Sequence, residues 1–289
     1  MRILLTGAAG MLGHDVRRVG ERAGHELILV DLPELDITDE PSVVSFFEGE
    51  RPDATINCAA WTDVDGAESN REAAYAVNAE GAGNLARAAA RIGTPLLHIS
   101  TDYVFDGTAP LDGKGQPRAY LESDPTGPRS VYGETKLAGE QQVLAASASH
   151  TIVRTAWLYG VDGPNFVETM LRLAGERDAV QVVDDQIGSP TWSGHLAPAI
   201  VGLLERGVGG LVHLTGAGSV SWNGFAKEIF RQADVECQVE AISSSQMARP
   251  APRPAFSVLE TERENVLPMG PWQDGLAGYL AARNGMMRS

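Results

Sequence analysis

Met1-Arg2-Ile3-Leu4-Leu5-Thr6-Gly7-Ala8-Ala9-Gly10-Met11-Leu12-Gly13 passes from a short apolar run directly into glycines spaced Gly-x-x-Gly-x-x-Gly. The apolar run predicts a buried strand over 2–6, and the glycines predict a tight turn that opens a helix. Glycine lets the turn close and lets helix and strand approach each other. The helix N-terminus then offers unpaired N–H groups and a partial positive charge to a pyrophosphate. Gly7, Gly10, Met11, Leu12 and Gly13 are therefore candidate cofactor residues.

Working outward, further short apolar runs at 26–31, 54–57, 95–100 and 151–155 alternate with helical patterns, notably an Ala-rich one at 71–92. Alternation of this kind predicts an α/β fold, a Rossmann-type doubly wound parallel sheet covered on both faces. Beyond 158 the alternation loosens. The expected organisation is a dinucleotide-binding domain over 1–158, to which 192–215 returns, with a smaller C-terminal substrate-binding lobe from 159–191 and 216–289. Asp31 closes the second strand, where a carboxylate accepts from the adenosine ribose hydroxyls. That position favours NADH; a 2'-phosphate would meet like charge, although a nearby Arg could offset it, so NADPH stays open. Asp36 and Ile37 suit the adenine edge, and Asp36 suits a turn or N-cap equally well. Ala59, Ala60, Trp61 and Thr62 follow the next strand and can pass beneath the adenosine and ribose.

Val131-Tyr132-Gly133-Glu134-Thr135-Lys136 supplies the chemistry. One helical turn separates the phenol of Tyr132 from the ammonium of Lys136, so both share a face. A fixed positive charge there favours the phenolate and makes the tyrosine a better proton carrier. With Thr101 at the end of the strand before it, the set reads as a nicotinamide-dependent carbonyl reductase. Tyr132 would give the proton, Thr101 would polarise the carbonyl, and Lys136 would bind the nicotinamide ribose while lowering the phenol's pKa. Thr101 could instead satisfy the strand end, and Asn78 suits either a buried amide bonded to backbone or a group orienting water near Lys136.

Composition excludes other classes. A net charge of −15 opposes general attraction to nucleic acid or an anionic membrane surface. The opening apolar run is too short for a signal segment or membrane span, so a cytoplasmic location is expected. Two cysteines, Cys58 and Cys237, make neither a disulfide framework nor a metal-ligand pattern. Residues 106–128 are rich in Gly, Pro and Asp, an irregular loop expected over the strand ends as a candidate lid.

Taken with Ser100-Thr101-Asp102-Tyr103-Val104-Phe105, Arg154-Thr155-Ala156-Trp157 and Asp185-Gln186-Ile187-Gly188-Ser189-Pro190-Thr191, these motifs resemble the extended short-chain dehydrogenases/reductases, and within them the dTDP-4-dehydrorhamnose reductase family, over nearly the whole length. The resemblance implies reduction of the 4-keto group of a dTDP-linked 6-deoxyhexulose by NADH or NADPH. It puts Thr101 and Asp102 near the sugar and Trp157 against it, with Asn165 and Arg253 as reasonable donors to the nucleotide diphosphate. Trp157 could also be a core aromatic, and Arg253 a surface residue. Some relatives carry Mg2+ through carboxylates at a dimer interface; Asp15 falls at a matching position but is shorter than the expected glutamate, so Mg2+ is a candidate without a catalytic part, and a homodimer is expected only as the commonest default. Gly113-Lys114-Gly115-Gln116 makes the loop before Tyr132 longer than the family pattern. The rival readings are another nucleotide-deoxysugar 4-ketoreductase and a non-catalytic dinucleotide-binding subunit like that of methionine adenosyltransferase. Dehydration is disfavoured because Tyr103 stands where a dehydratase would place an acid.

Overall fold

The computed structural model describes residues 1–266 and 268–286; Leu267 and 287–289, the end of the expected lobe, lie outside it. The chain opens with β1 (Arg2–Thr6), α1 (Met11–Arg22), β2 (Glu26–Val30), α2 (Glu40–Glu50) and β3 (Ala54–Asn57). It continues through α3 (Val64–Ser69), α4 (Arg71–Tyr75), α5 (Ala82–Ile92), β4 (Leu96–Thr101), α6 (Val131–Ala146) and β5 (Thr151–Thr155). Then follow α7 (Phe166–Ala174), β6 (Ala179–Val183), α8 (Ser193–Glu205), β7 (Gly210–His213), α9 (Trp222–Ala233), β8 (Gln238–Ile242) and α10 (Trp272–Met286).

Six strands form one wholly parallel sheet in the order β7-β5-β4-β3-β1-β2. Successive residues of a strand face opposite sides. In β1, Ile3 and Leu5 pack under α1 and α8 with Leu12, Val16, Leu196 and Ile200. Leu4 packs on the other side with Val43, Phe47, Leu85 and Val143 from α2, α5 and α6. Both faces being covered explains why the strands read as unbroken apolar runs. β2 lies on one side of β1 while β3, β4, β5 and β7 lie on the other, so the direction of winding reverses at β1. The carboxyl ends of β1 and β3 therefore part and leave a crevice.

The helical stretch 71–92 is regular at its ends and contains a π-helical turn at Ala76–Gly81. The turn presses on α6 so closely that a Cβ at Gly139 would stand 2.1 Å from the Asn78 carbonyl oxygen. A separate apolar cluster binds α7, α9 and α10 through Val167, Phe225, Ile229, Trp272 and Leu276. β6 pairs in parallel with β8 beside it. β8 escapes the sequence reading because it is an edge strand in which Gln238, Glu240 and Ala241 are exposed, leaving no strong alternation. Among the described residues no helix is long and apolar enough to cross a membrane.

Candidate active site

A cleft of about 880 Å³ opens at the carboxyl ends of β1, β3 and β4. Its floor is the glycine turn. Gly7 has φ +68°, and a Cβ there would lie 2.5 Å from the Ala59 amide nitrogen. A Cβ on Gly13 would lie 2.2 Å from the Gly7 carbonyl oxygen. Gly10 is the N-cap of α1 with no side-chain cap, which leaves first-turn N–H groups beside Met11 and Leu12 for an anion.

Asp31, Asp36, Ile37, Ala59, Ala60, Trp61 and Thr62 line the same cleft. The Asp31 carboxylate accepts from the Ala9 amide at 2.9 Å, which fixes it at the rim. Asp36 makes the turn: it accepts from the Thr38 amide at 2.9 Å and its hydroxyl at 2.7 Å. Asn78 is the buried amide bonded to backbone, accepting from the Trp61 amide at 2.8 Å and donating to its carbonyl at 3.1 Å. It clamps the 58–62 segment from within the π-helical turn. Among the described residues lining the cleft, Lys136 is the single basic side chain.

The reacting end lies where α6 meets β4. Ser130 caps α6, accepting from the Gly133 amide at 3.1 Å, so Tyr132 occupies the first turn and Lys136 the next. Thr101, Asp102, Tyr103, Tyr132 and Lys136 converge on one wall. Burial pushes the Tyr132 phenol up to about 12, opposed by the Thr101 hydroxyl beside it. The lowering of that phenol by Lys136, expected from sequence, does not occur in this arrangement. The Lys136 amine turns away, to the Ile99 carbonyl at 2.7 Å and His98 Nε2 at 3.1 Å. Burial, with 2% of the residue exposed, pushes Lys136 itself down to about 8.

Asp102 accepts from the Thr101 hydroxyl at 3.0 Å through one oxygen, and its other oxygen is buried without a partner among the described residues. Burial pushes this carboxyl up to about 6. The folded state thus binds the proton more tightly than the unfolded chain, so stability is fullest below the ordinary carboxylate range. It falls as pH rises from about 4 to about 6 and stays lower above. Asp102→Asn is expected to remove that slope, worth on the order of 3 kcal/mol, less the cost of an unpaired amide N–H. Denaturant unfolding at pH 4.5 and 7.5 would read it; an unchanged slope in the variant would exclude Asp102 as its source.

Trp157 also lines the cleft, with φ +47°, a left-handed conformation that a bulky residue adopts only when its surroundings enforce it. Its indole stacks on Trp222 at 3.6 Å and 5° and donates to the Ser257 hydroxyl at 3.2 Å. Asn165 does not line the cleft: its amide is consumed in capping α7, accepting from the Glu168 amide at 3.0 Å and donating to the Gly160 carbonyl at 2.7 Å. Arg253 lies instead in an adjoining pocket of about 280 Å³ with Tyr103, Arg129 and Ser130, paired with Asp65 at 2.9 Å. The 106–128 loop does not reach the cleft either. Tyr120 stacks on Phe105 at 4.1 Å and pairs with Leu259, while Gly113–Gln116 close an exposed turn on Asp112. The lid reading is corrected accordingly. Asp15 is engaged by Arg18 at 2.8 Å and Ser193 at 2.5 Å, and the described residues of this chain contain no group of three or more potential ligands for the Mg2+ considered from sequence.

Sequence reasoning missed two features. Trp222, under Trp157, lay in a segment read only as helix. Asn57 and His98 form a buried chain from Thr6 to Lys136; the signal available was a polar residue inside otherwise apolar strands, which a parallel sheet tolerates only when it is paired.

The RmlD substrate binding domain family matches residues 1–284. The chain belongs to this family. A dTDP-4-dehydrorhamnose reductase of Mycobacterium tuberculosis is 45% identical over 287 residues, spanning 97% of this chain and 93% of the relative. The crystal structure of a dTDP-4-dehydrorhamnose reductase from Clostridium acetobutylicum superposes with a TM-score of 0.94 at 40% identity, covering 98% of this chain and 100% of that one. That of the Bacillus anthracis enzyme in complex with NADP superposes at 0.92 and 38% identity, covering 97% and 99%. As an RmlD-family chain it is a Rossmann-type oxidoreductase whose cleft serves a nicotinamide dinucleotide.

Proposed function

We propose that this chain reduces the 4-keto group of dTDP-6-deoxy-L-lyxo-4-hexulose (dTDP-4-dehydrorhamnose) to give dTDP-L-rhamnose, with NADH or NADPH as reductant. The observation that carries the reading is the convergence of Thr101 and Tyr132 on the wall of a cleft floored by the glycine turn, in a chain of this family. The residues fit the dinucleotide: free N–H groups at α1 for its diphosphate, Asp31 for the adenosine ribose, and Ala59 and Ala60 where bulk would obstruct. When bound, it supplies the hydride.

The protein's own part is to place the ketone and manage the proton. A phenol held near 12 keeps its proton throughout the neutral range, so Tyr132 enters each turnover loaded. An alkoxide is more basic still, and transfer to it is downhill. Thr101 donates to the same oxygen as charge develops, its hydroxyl turning from Asp102. Trp157 offers an apolar wall to the 6-deoxy carbon.

Asp31, with no Arg among the described residues lining the cleft to meet a 2'-phosphate, favours NADH over NADPH. Asp31→Ala is expected to weaken NADH by about 10-fold or more, the worth of a charged hydrogen bond, and NADPH less. Equal losses in fluorescence titrations would remove Asp31 from the ribose. The function itself is tested by following NADH and NADPH oxidation with the hexulose generated in situ and resolving the product by NMR. dTDP-L-rhamnose is expected. The C4 epimer, or cofactor binding without oxidation, would overturn the assignment in favour of another deoxysugar.

A further inference from the structure

The chain of buried polar groups behind Lys136 has a direction that the hydrogen bonds fix. Asn57 Oδ1 accepts from the Ala59 amide at 3.0 Å and from the Thr6 hydroxyl at 2.7 Å. A backbone N–H can only donate, so the other end of the Asn57 side chain is its NH2, and that NH2 meets His98 Nδ1 at 2.9 Å. Nδ1 must therefore accept and carries no proton. A neutral imidazole has one N–H, which then sits on Nε2, 3.1 Å from the Lys136 amine. An ammonium has three donors and no lone pair, and cannot face an N–H at that distance favourably. An uncharged amine can: it accepts from His98 Nε2–H and donates to the Ile99 carbonyl at 2.7 Å.

We propose that His98 is a positioning residue that favours the uncharged amine of Lys136 over its ammonium, so that binding of the nicotinamide ribose completes the charge on Lys136. The other groups acting on Lys136 do not reverse this. Glu140, one turn along α6, favours the ammonium, but its carboxylate is engaged by Arg154 at 2.7 and 2.9 Å and by the Ser100 hydroxyl at 2.5 Å. The Cys58 thiol, pushed up to about 12 by burial, and the Tyr132 phenol bring no charge at neutral pH. His98, 1% exposed, is held well below its ordinary value chiefly by burial. When ribose hydroxyls supply acceptors at the open side of the amine, one proton enters from solvent, the amine becomes an ammonium, and no other bond is made or broken. The inference about the amine rests on Asn57, His98 and Lys136 alone; only the proton uptake rests on the function proposed above.

The sequence makes the test simple, because it contains three lysines, and Lys114 and Lys227 are both exposed. Protein labelled with [13Cε]lysine and stripped of nucleotide should show one lysine titrating near pH 8, assigned by its loss in Lys136→Met. Imidazole 15N shifts should place the His98 proton on Nε2. Asn57→Asp reverses the logic: a carboxylate requires Nδ1–H, which leaves Nε2 bare as an acceptor for the ammonium. The low titration should then rise by roughly one pH unit or more. Proton uptake on NADH binding, read at pH 8.5 by calorimetry in two buffers of different ionisation heat, should fall in the variant. Three coincident lysine titrations, or a His98 proton on Nδ1, would overturn the proposal whether or not Asn57→Asp folds. Turnover is a separate readout. Rhamnose formation with coincident lysines would sink this inference and leave the function standing, and a low-titrating Lys136 in a protein without turnover would do the opposite.

Discussion

Tyr132→Phe is expected to lower turnover about 1000-fold, within the range measured for loss of a positioned proton donor, while the Kd for NADH and NADPH stays within roughly twofold. The change removes one oxygen from a ring that packs edge-on against Tyr103 at 5.4 Å and 79°, so the ring and its packing remain. What disappears is the phenol proton beside the Thr101 hydroxyl. The check is the ratio of kcat to cofactor affinity in the purified variant; full activity would remove Tyr132 from the reaction.

Gly13→Ala is expected to fail differently, through backbone. The new methyl would stand 2.2 Å from the Gly7 carbonyl oxygen and 2.8 Å from that of Ala8, both main-chain atoms in the turn itself. Neither can swing aside as a side chain can, so α1 must shift off the turn. Overpacking of this kind costs about 3 kcal/mol, and because the distortion falls on the N–H groups that the proposed function assigns to the diphosphate, cofactor affinity should drop roughly 100-fold. Thermal unfolding with and without NADH would show both losses. An alanine variant that binds NADH normally would mean that the turn is not the diphosphate site.

The cofactor half of the cleft was legible because its signals are local. A glycine required by a 2.5 Å approach, a carboxylate at a strand end and two residues one helical turn apart are all visible in short windows of sequence. The sugar half was not. Asn165 reads as a free donor in sequence, yet an Asn one residue before a helix is also a cap, and the cap won. Arg253 found Asp65, far away in the chain, before it found the cleft. The 106–128 loop has the composition of a lid, but Tyr120 and its stack on Phe105 pin it elsewhere, a tertiary contact that composition does not reveal. The charge state of Lys136 depends on which end of Asn57 faces His98, and no pattern of residue types encodes that.

Trp157 carries one further consequence. It leaves β5 in a strained conformation and is held there by Trp222, which belongs to the apolar cluster of α7, α9 and α10 and not to either cluster beneath the sheet. Trp157 is therefore set by side chains of that cluster, whereas Ala8 and Leu12 of the glycine turn pack into the cluster under α1 and α8. Substitutions along α9 can reshape the acceptor end while hydride delivery proceeds from an undisturbed floor, so a descendant of this chain could change its sugar without relearning its reductant.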